Sequence, residues 1–136
     1  MHLVLDHSLA TGIAKLDSQH QFLVDAINSL YDEGMNCPDI EAEKKLTIKF
    51  LAEFSRYADI HFAFEEELLL QHGFPACEKH KQEHAEFLHK LNELRQSHQQ
   101  DMLSYELFSF VLDWFRNHLN ESDMAYIKYF RHKGIL

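Results

Sequence analysis

A chain of 136 residues suits one domain spanning 1–136, and 46% hydrophobic residues give it the means to bury a core. The formal net charge is −9, and the Lys and Arg are scattered, which excludes the clustered cations that nucleic-acid binding needs. No apolar run approaches the roughly 20 residues of a membrane span, and the N-terminus lacks a signal peptide's basic and apolar regions, so a cytoplasmic location is expected.

Only four Gly and two Pro punctuate the chain, which predicts a few long helices. Residues 1–16 have little helical period and read as an N-terminal arm. Asp17 is placed to cap a first helix whose apolar face is His20, Leu23, Val24, Ile27, Leu30 and Tyr31, in steps of three and four. Gly34 and the run Asn36-Cys37-Pro38 end it. Asp39 can cap a second helix with the inner stripe Leu46, Phe50, Phe54, Tyr57, His61, Glu65 and Leu68, and Gly73 stops it. Pro75 suits the first turn of a third helix, whose inner face carries Cys77, His80, His84, Phe87, Leu91 and Leu94. Residues 99–103 read as a polar turn. A fourth helix starts near Ser104 and carries Leu107, Phe108, Val111, Trp114, Phe115 and His118. Short connections between long helices imply an all-α, up-down-up-down antiparallel four-helix bundle. Cys37 and Cys77 flank the second helix, about 50 Å apart at 1.5 Å per residue, too far for a disulfide.

Eleven histidines are the outlier of the composition. His61 and Glu65 on the second helix, and His80 and His84 on the third, are i, i+4 pairs that each project from one face. The first helix adds His20, and the fourth adds His118 and Asp123. One inward histidine is more often a hydrogen-bonded core residue than a ligand. Seven ionisable groups from four helices, at similar depth in a core otherwise made of Phe and Leu, are another matter: without a metal their desolvation would be costly. One spacing conflicts with a regular helix. Positions five apart differ by roughly 140° at about 100° per residue, so His118 and Asp123 cannot both face one site on a straight α-helix. A break, bulge or tightened turn is predicted between Leu119 and Ser122, of the kind that tends to mark functional sites. The remaining histidines, His2, His7, His72, His89, His98 and His132, fit no ligand spacing and read as solvated, as do Glu66 and Glu67.

The segments Leu16-Asp17-Ser18-Gln19-His20, His61-Phe62-Ala63-Phe64-Glu65, His80 with His84 and Phe87, and Trp114-Phe115 followed by His118, Asp123 and Tyr126 resemble the hemerythrin family over nearly the whole chain. The stand-alone form is most similar to bacterial hemerythrins. The resemblance implies two non-haem iron ions. His80, His84 and His118 would bind one and His20 and His61 the other. Glu65, Asp123 and an oxo or hydroxo group would bridge them, and the two-histidine iron would keep one position open for dioxygen. Two residues depart from the family pattern. Leu5 stands where Trp is frequent, and Phe115 where Leu is commoner, which would narrow the oxygen pocket.

The function this implies is reversible dioxygen binding, for transport, storage or delivery, by a protein that is not an enzyme. Five neutral imidazoles against two carboxylates favour reversible binding over O–O cleavage, since anionic ligands stabilise higher oxidation states. Leu23, Trp114, Phe115 and Leu119 lie within one turn of His20 or His118 and are candidates for the oxygen pocket. Tyr57 and Tyr126 are candidates for orienting ligands from outside. The competing readings are an oxygen or nitric oxide sensor acting through a separate protein partner, and a di-iron oxidase or peroxidase. Oxygen-dependent spectra separate these, because a carrier's change reverses when oxygen is removed.

Overall fold

The computed structural model describes residues 3–5, 9–96 and 104–136. The polar turn at 99–103 and His2, His7 and His98 lie outside the described residues. Four helical rods run α1 (Ala14–Met35), α2 (Ile40–Gln71), α3 (Cys77–Gln96) and α4 (Ser104–Asn117), the last continuing through a π-helical turn (His118–Asp123) into α5 (Met124–His132). No strand occurs among the described residues. The rods form the expected antiparallel bundle: α2 packs on both α1 and α3, and α4 closes against α1 and α2.

Helix ends follow local chemistry. The Asp39 side chain accepts from Ala42 N at 2.8 Å and caps α2. At the other end, Gly73 takes φ +66°, with Gly73 N bonded to Leu70 O and Phe74 N to Leu69 O. That pair of bonds is a Schellman stop, and Phe74 and Leu69 share the apolar contact that goes with it. Asp17 does not cap α1. The helix starts three residues earlier, after Ile13, and the Asp17 carboxylate instead takes hydrogen bonds from Thr11 N and Oγ1, both at 2.8 Å. The arm is thus tied to the first turn, and Asn28 ties it again by bonding both Leu3 N and Leu3 O at 2.9 Å. Leu5 packs half-buried on the core. Pro75 precedes α3 by two residues instead of lying in its first turn.

Two faces differ from the sequence expectation. On α2 the buried line is Phe50, Phe54, Ala58, His61, Glu65 and Leu69. Tyr57 faces outward and Leu68 is only partly buried, each one position before a buried residue, because steps of three and of four are both compatible with a 3.6-residue turn. On α3, Cys77 is only partly buried, and both cysteines are free. The core divides in two. A large cluster including Leu23, Ile27, Phe54, Phe87, Phe108 and Phe115 fills most of the bundle. A smaller one of Leu16, Leu69, Phe74, Tyr126, Ile127 and Phe130 plugs the end where α1 begins and α2 ends. The histidines and carboxylates lie between these apolar layers.

Candidate metal centre

All seven sequence-selected residues, His20, His61, Glu65, His80, His84, His118 and Asp123, are buried and meet in one place. The i, i+4 pairs on α2 and α3 present side by side because one helical turn separates them. His118 and Asp123 bracket the π-helical turn. Its i→i+5 bonding brings residues five apart onto one face, which resolves the spacing that a regular helix forbids.

Glu65 divides the cluster. Its Oε1 faces His80 Nε2 at 2.5 Å, His84 Nε2 at 3.0 Å and His118 Nε2 at 3.7 Å. Its Oε2 faces His20 Nε2 and His61 Nε2, both at 3.6 Å. Asp123 repeats the division, with Oδ1 near His118 (3.1 Å) and His80 (3.2 Å) and Oδ2 near His20 (3.4 Å). Two donor groups result, Glu65 with His80, His84 and His118, and Glu65 with His20 and His61. Within each group the ligand atoms lie within 4.8 Å of one another.

The donor set fits metal ions. His20 Nε2 and both Asp123 oxygens are buried with no hydrogen-bond partner, although opposing nitrogens and oxygens lie 3.1–3.6 Å away. At those distances the atoms face one another without forming a hydrogen bond. Orphaned buried polar groups are expensive, and cations would satisfy all of them.

The electrostatics follow from burial and pairing. Burial alone depresses His80 and His118, but the Asp123 and Glu65 carboxylates more than reverse it, lifting them to about 9 and about 10. In His61 burial wins over Glu65, and the value falls to about 4. Burial opposes ionisation of Glu65 and Asp123, yet the surrounding imidazoles hold both carboxyls below their ordinary values. Without metal, the two carboxylates favour the protonated forms of His80 and His118, and they raise His20 as well against its burial.

Outer partners fix the rings. His61 Nδ1 meets Gln19 Oε1 at 2.7 Å, His84 Nδ1 meets Glu66 Oε2 at 2.8 Å, and His118 Nδ1 meets Glu83 Oε2 at 3.2 Å. With Nδ1 donating outward, Nε2 is the nitrogen each ring presents to the centre, where a metal would displace any proton it carries. Glu66 is thus not part of a solvated face, and Glu83 and Gln19 were not anticipated. Each follows or precedes an inward ligand by one residue, about 100° around its helix. There it faces the neighbouring helix, which is the signal that would have found it. Tyr126 donates to Glu65 Oε2 at 3.0 Å, and burial beside that carboxylate pushes its phenol well up. Tyr57 has no such role: it is exposed and stacks on Phe22 at 3.9 Å. His89 is exposed and pairs with Glu93, His132 is exposed, and His72 is partly buried with its ring edge on Phe130.

The pocket candidates fall on two sides. Phe115 sits edge-on to His20 with 6.1 Å between ring centroids, and Leu23 and Leu119 are buried. Trp114 lies against the three-histidine group, stacked on His118 at 4.5 Å and on Phe87 at 4.0 Å.

A family model described as the hemerythrin HHE cation binding domain matches residues 11–130. The chain belongs to the hemerythrin family. Among hemerythrins, it is similar to the bacteriohemerythrin of Pseudomonas aeruginosa, 32% identical over 132 residues that cover 96% of this chain and 83% of that one. The bacteriohemerythrin of Clostridium acetobutylicum is 31% identical over 119 residues, covering 85% and 92%. The myohemerythrin of Riftia pachyptila is 28% identical over 123 residues, covering 90% and 89%. The hemerythrin family is known for binding dioxygen with non-haem iron, and a His/Glu cluster suited to metal lies within the matched residues. No described helix is long and apolar enough to cross a membrane.

Proposed function

We propose that this chain, acting as one domain, binds dioxygen reversibly at a non-haem di-iron centre and serves as a carrier or store. The observation that carries the reading is the division of Glu65, one oxygen toward three histidines and the other toward two. His80, His84 and His118 would hold one iron and His20 and His61 the other, with Glu65 and Asp123 spanning both. The two-histidine side is one protein donor short, which leaves it able to accept a small ligand. Iron supplies reversible electron donation to dioxygen when bound there.

The remaining work belongs to the protein. Tyr126 holds Glu65 by its hydroxyl, and Gln19, Glu66 and Glu83 hold the rings of His61, His84 and His118. Leu23, Phe115 and Leu119 keep water from the two-histidine side, while Trp114 fixes the plane of His118. The apolar plug of Leu16, Leu69, Phe74 and Phe130 excludes solvent from below. A dry, histidine-rich environment suits ligand binding without further oxidation.

The test is anaerobic reconstitution with ferrous iron, followed by metal analysis and spectra under oxygen and argon. Two irons per chain and an oxygen-dependent visible band that disappears under argon are expected. No iron uptake would overturn the reading, and immediate irreversible oxidation would replace it with an enzyme.

A further inference from the structure

Two of the cavities among the described residues border the helices that carry the centre. The larger, about 190 Å³, lies between α1 and α2 around Phe22, Leu30, Phe54 and Tyr57, and touches none of the seven inward residues. The smaller, about 130 Å³, lies between α3 and the π-helical turn, and its walls include His80. Lys79, Glu83, Glu121, Ser122 and Ala125 also line it. It is large enough for several waters. Behind His80, whose Nε2 is 3.2 Å from Asp123 Oδ1, both Asp123 oxygens are buried without a hydrogen-bond partner.

From this cavity we infer that the gap between α3 and the π-helical turn is the port through which metal ions reach and leave the centre. The inference rests on the di-iron reading above. Phe74, Ala76 and Ala125 supply apolar wall, but two carboxylates and a hydroxyl against one lysine give the opening oxygen donors that a cation can use and dioxygen cannot. The cavity also reaches the three-histidine side, whereas Phe115, the ring beside His20, lies toward the two-histidine side. A hydrated ferrous ion can exchange waters for the oxygens of Glu121, Ser122 and Glu83 before it meets His80.

Glu83 is the latch of this port. It is 30% exposed, and its Oε2 accepts from both Ser122 Oγ, across the gap, and His118 Nδ1. A cation arriving at Glu83 competes with both donors. Its arrival therefore loosens the wall at Ser122, while His118 Nε2 already faces the centre.

A port has a kinetic signature that a structural residue lacks. Narrowing it slows entry and exit by the same factor and leaves the equilibrium unchanged. The experiment follows ferrous iron uptake by the metal-free chain under argon, and iron loss from the loaded chain to an excess of chelator, in wild type, Ala125→Phe, Glu121→Lys and Glu106→Lys. Ala125→Phe fills the cavity and should slow both directions several-fold and equally, with two irons still bound at equilibrium. Glu121→Lys should slow uptake about tenfold by removing the attraction at the mouth. Glu106→Lys makes the same charge change in the first turn of α4 and should not. If wild type takes up no iron, the di-iron reading itself fails. If wild type binds two irons while Ala125→Phe matches it in both rates, the port is overturned and the di-iron reading stands. Should Ala125→Phe fail to hold iron, Glu121→Lys decides: uptake slower than Glu106→Lys supports the port, and equal uptake overturns it.

Discussion

His118 is the residue on which most of the centre's geometry converges. Its Nε2 faces Asp123 and Glu65, its Nδ1 faces Glu83, and Trp114 covers its ring. Replacing it with Ala should leave at most one iron per chain by metal analysis. Phe115→Leu shortens the ring edge beside His20. It should speed both oxygen association and autoxidation in stopped-flow measurements, and identical rates would remove Phe115 from the pocket. Tyr126→Phe keeps the packing but leaves Glu65 Oε2 without its hydroxyl donor. The metal-free chain should lose about 1–3 kcal/mol of stability in urea titration, the usual cost of leaving a buried acceptor without its partner.

Among the elements, the π-helical turn does the most specific work. Six residues of wider winding let a histidine and an aspartate five apart serve one site, while α4 and α5 remain one rod. The spacing itself demanded such an irregularity, so its place was legible from the chain alone. The ends of α2 are similarly local. Gly73 takes φ +66°, and a methyl group added there would meet nothing within 4 Å. Gly73→Ala should therefore cost about 1–2 kcal/mol from backbone strain alone, measured by thermal unfolding. Which of two adjacent residues turns inward was less legible. On α2, Ala58 and Leu69 are buried where Tyr57 and Leu68 are expected, although Phe50, Phe54, His61 and Glu65 hold, because steps of three and of four are both compatible with a 3.6-residue turn.

At the scale of the whole molecule, the buried cluster links metal binding, protonation and stability. The raised values of His80 and His118 mean that the metal-free fold gains from their protonation fully below the ordinary 6.5, and loses that gain as pH rises through about 9 and 10. The lowered value of His61, about 4, works in the opposite direction. The unfolded chain takes up that proton first, so stability falls as pH drops below 6.5 toward 4. The metal-free chain should thus be most stable near pH 6.5. In the proposed centre iron would need unprotonated imidazoles, and its binding would displace the protons of His80 and His118. The gap in melting temperature between loaded and metal-free chains should widen from pH 6.5 to 9, and uptake in weak buffer should release protons. A gap that stays constant with pH would show that these two histidines are not displaced.

What the sequence determined by itself was everything that one helix can encode. Pairs such as His61 with Glu65 and His80 with His84 share a face by local geometry, and five inward imidazoles in an apolar core already pointed to a metal that would offset their desolvation. The fold class followed from the same periodicity. Only the tertiary structure decided which carboxylate oxygen meets which histidines, that Glu66 and Glu83 turn inward as ring partners, that Tyr57 turns out to solvent, and that a gap beside His80 opens to the surface. Those outcomes depend on how far each helix is rotated and slid against its neighbours. That register is set by the packing of all the rods together and is written in no single segment.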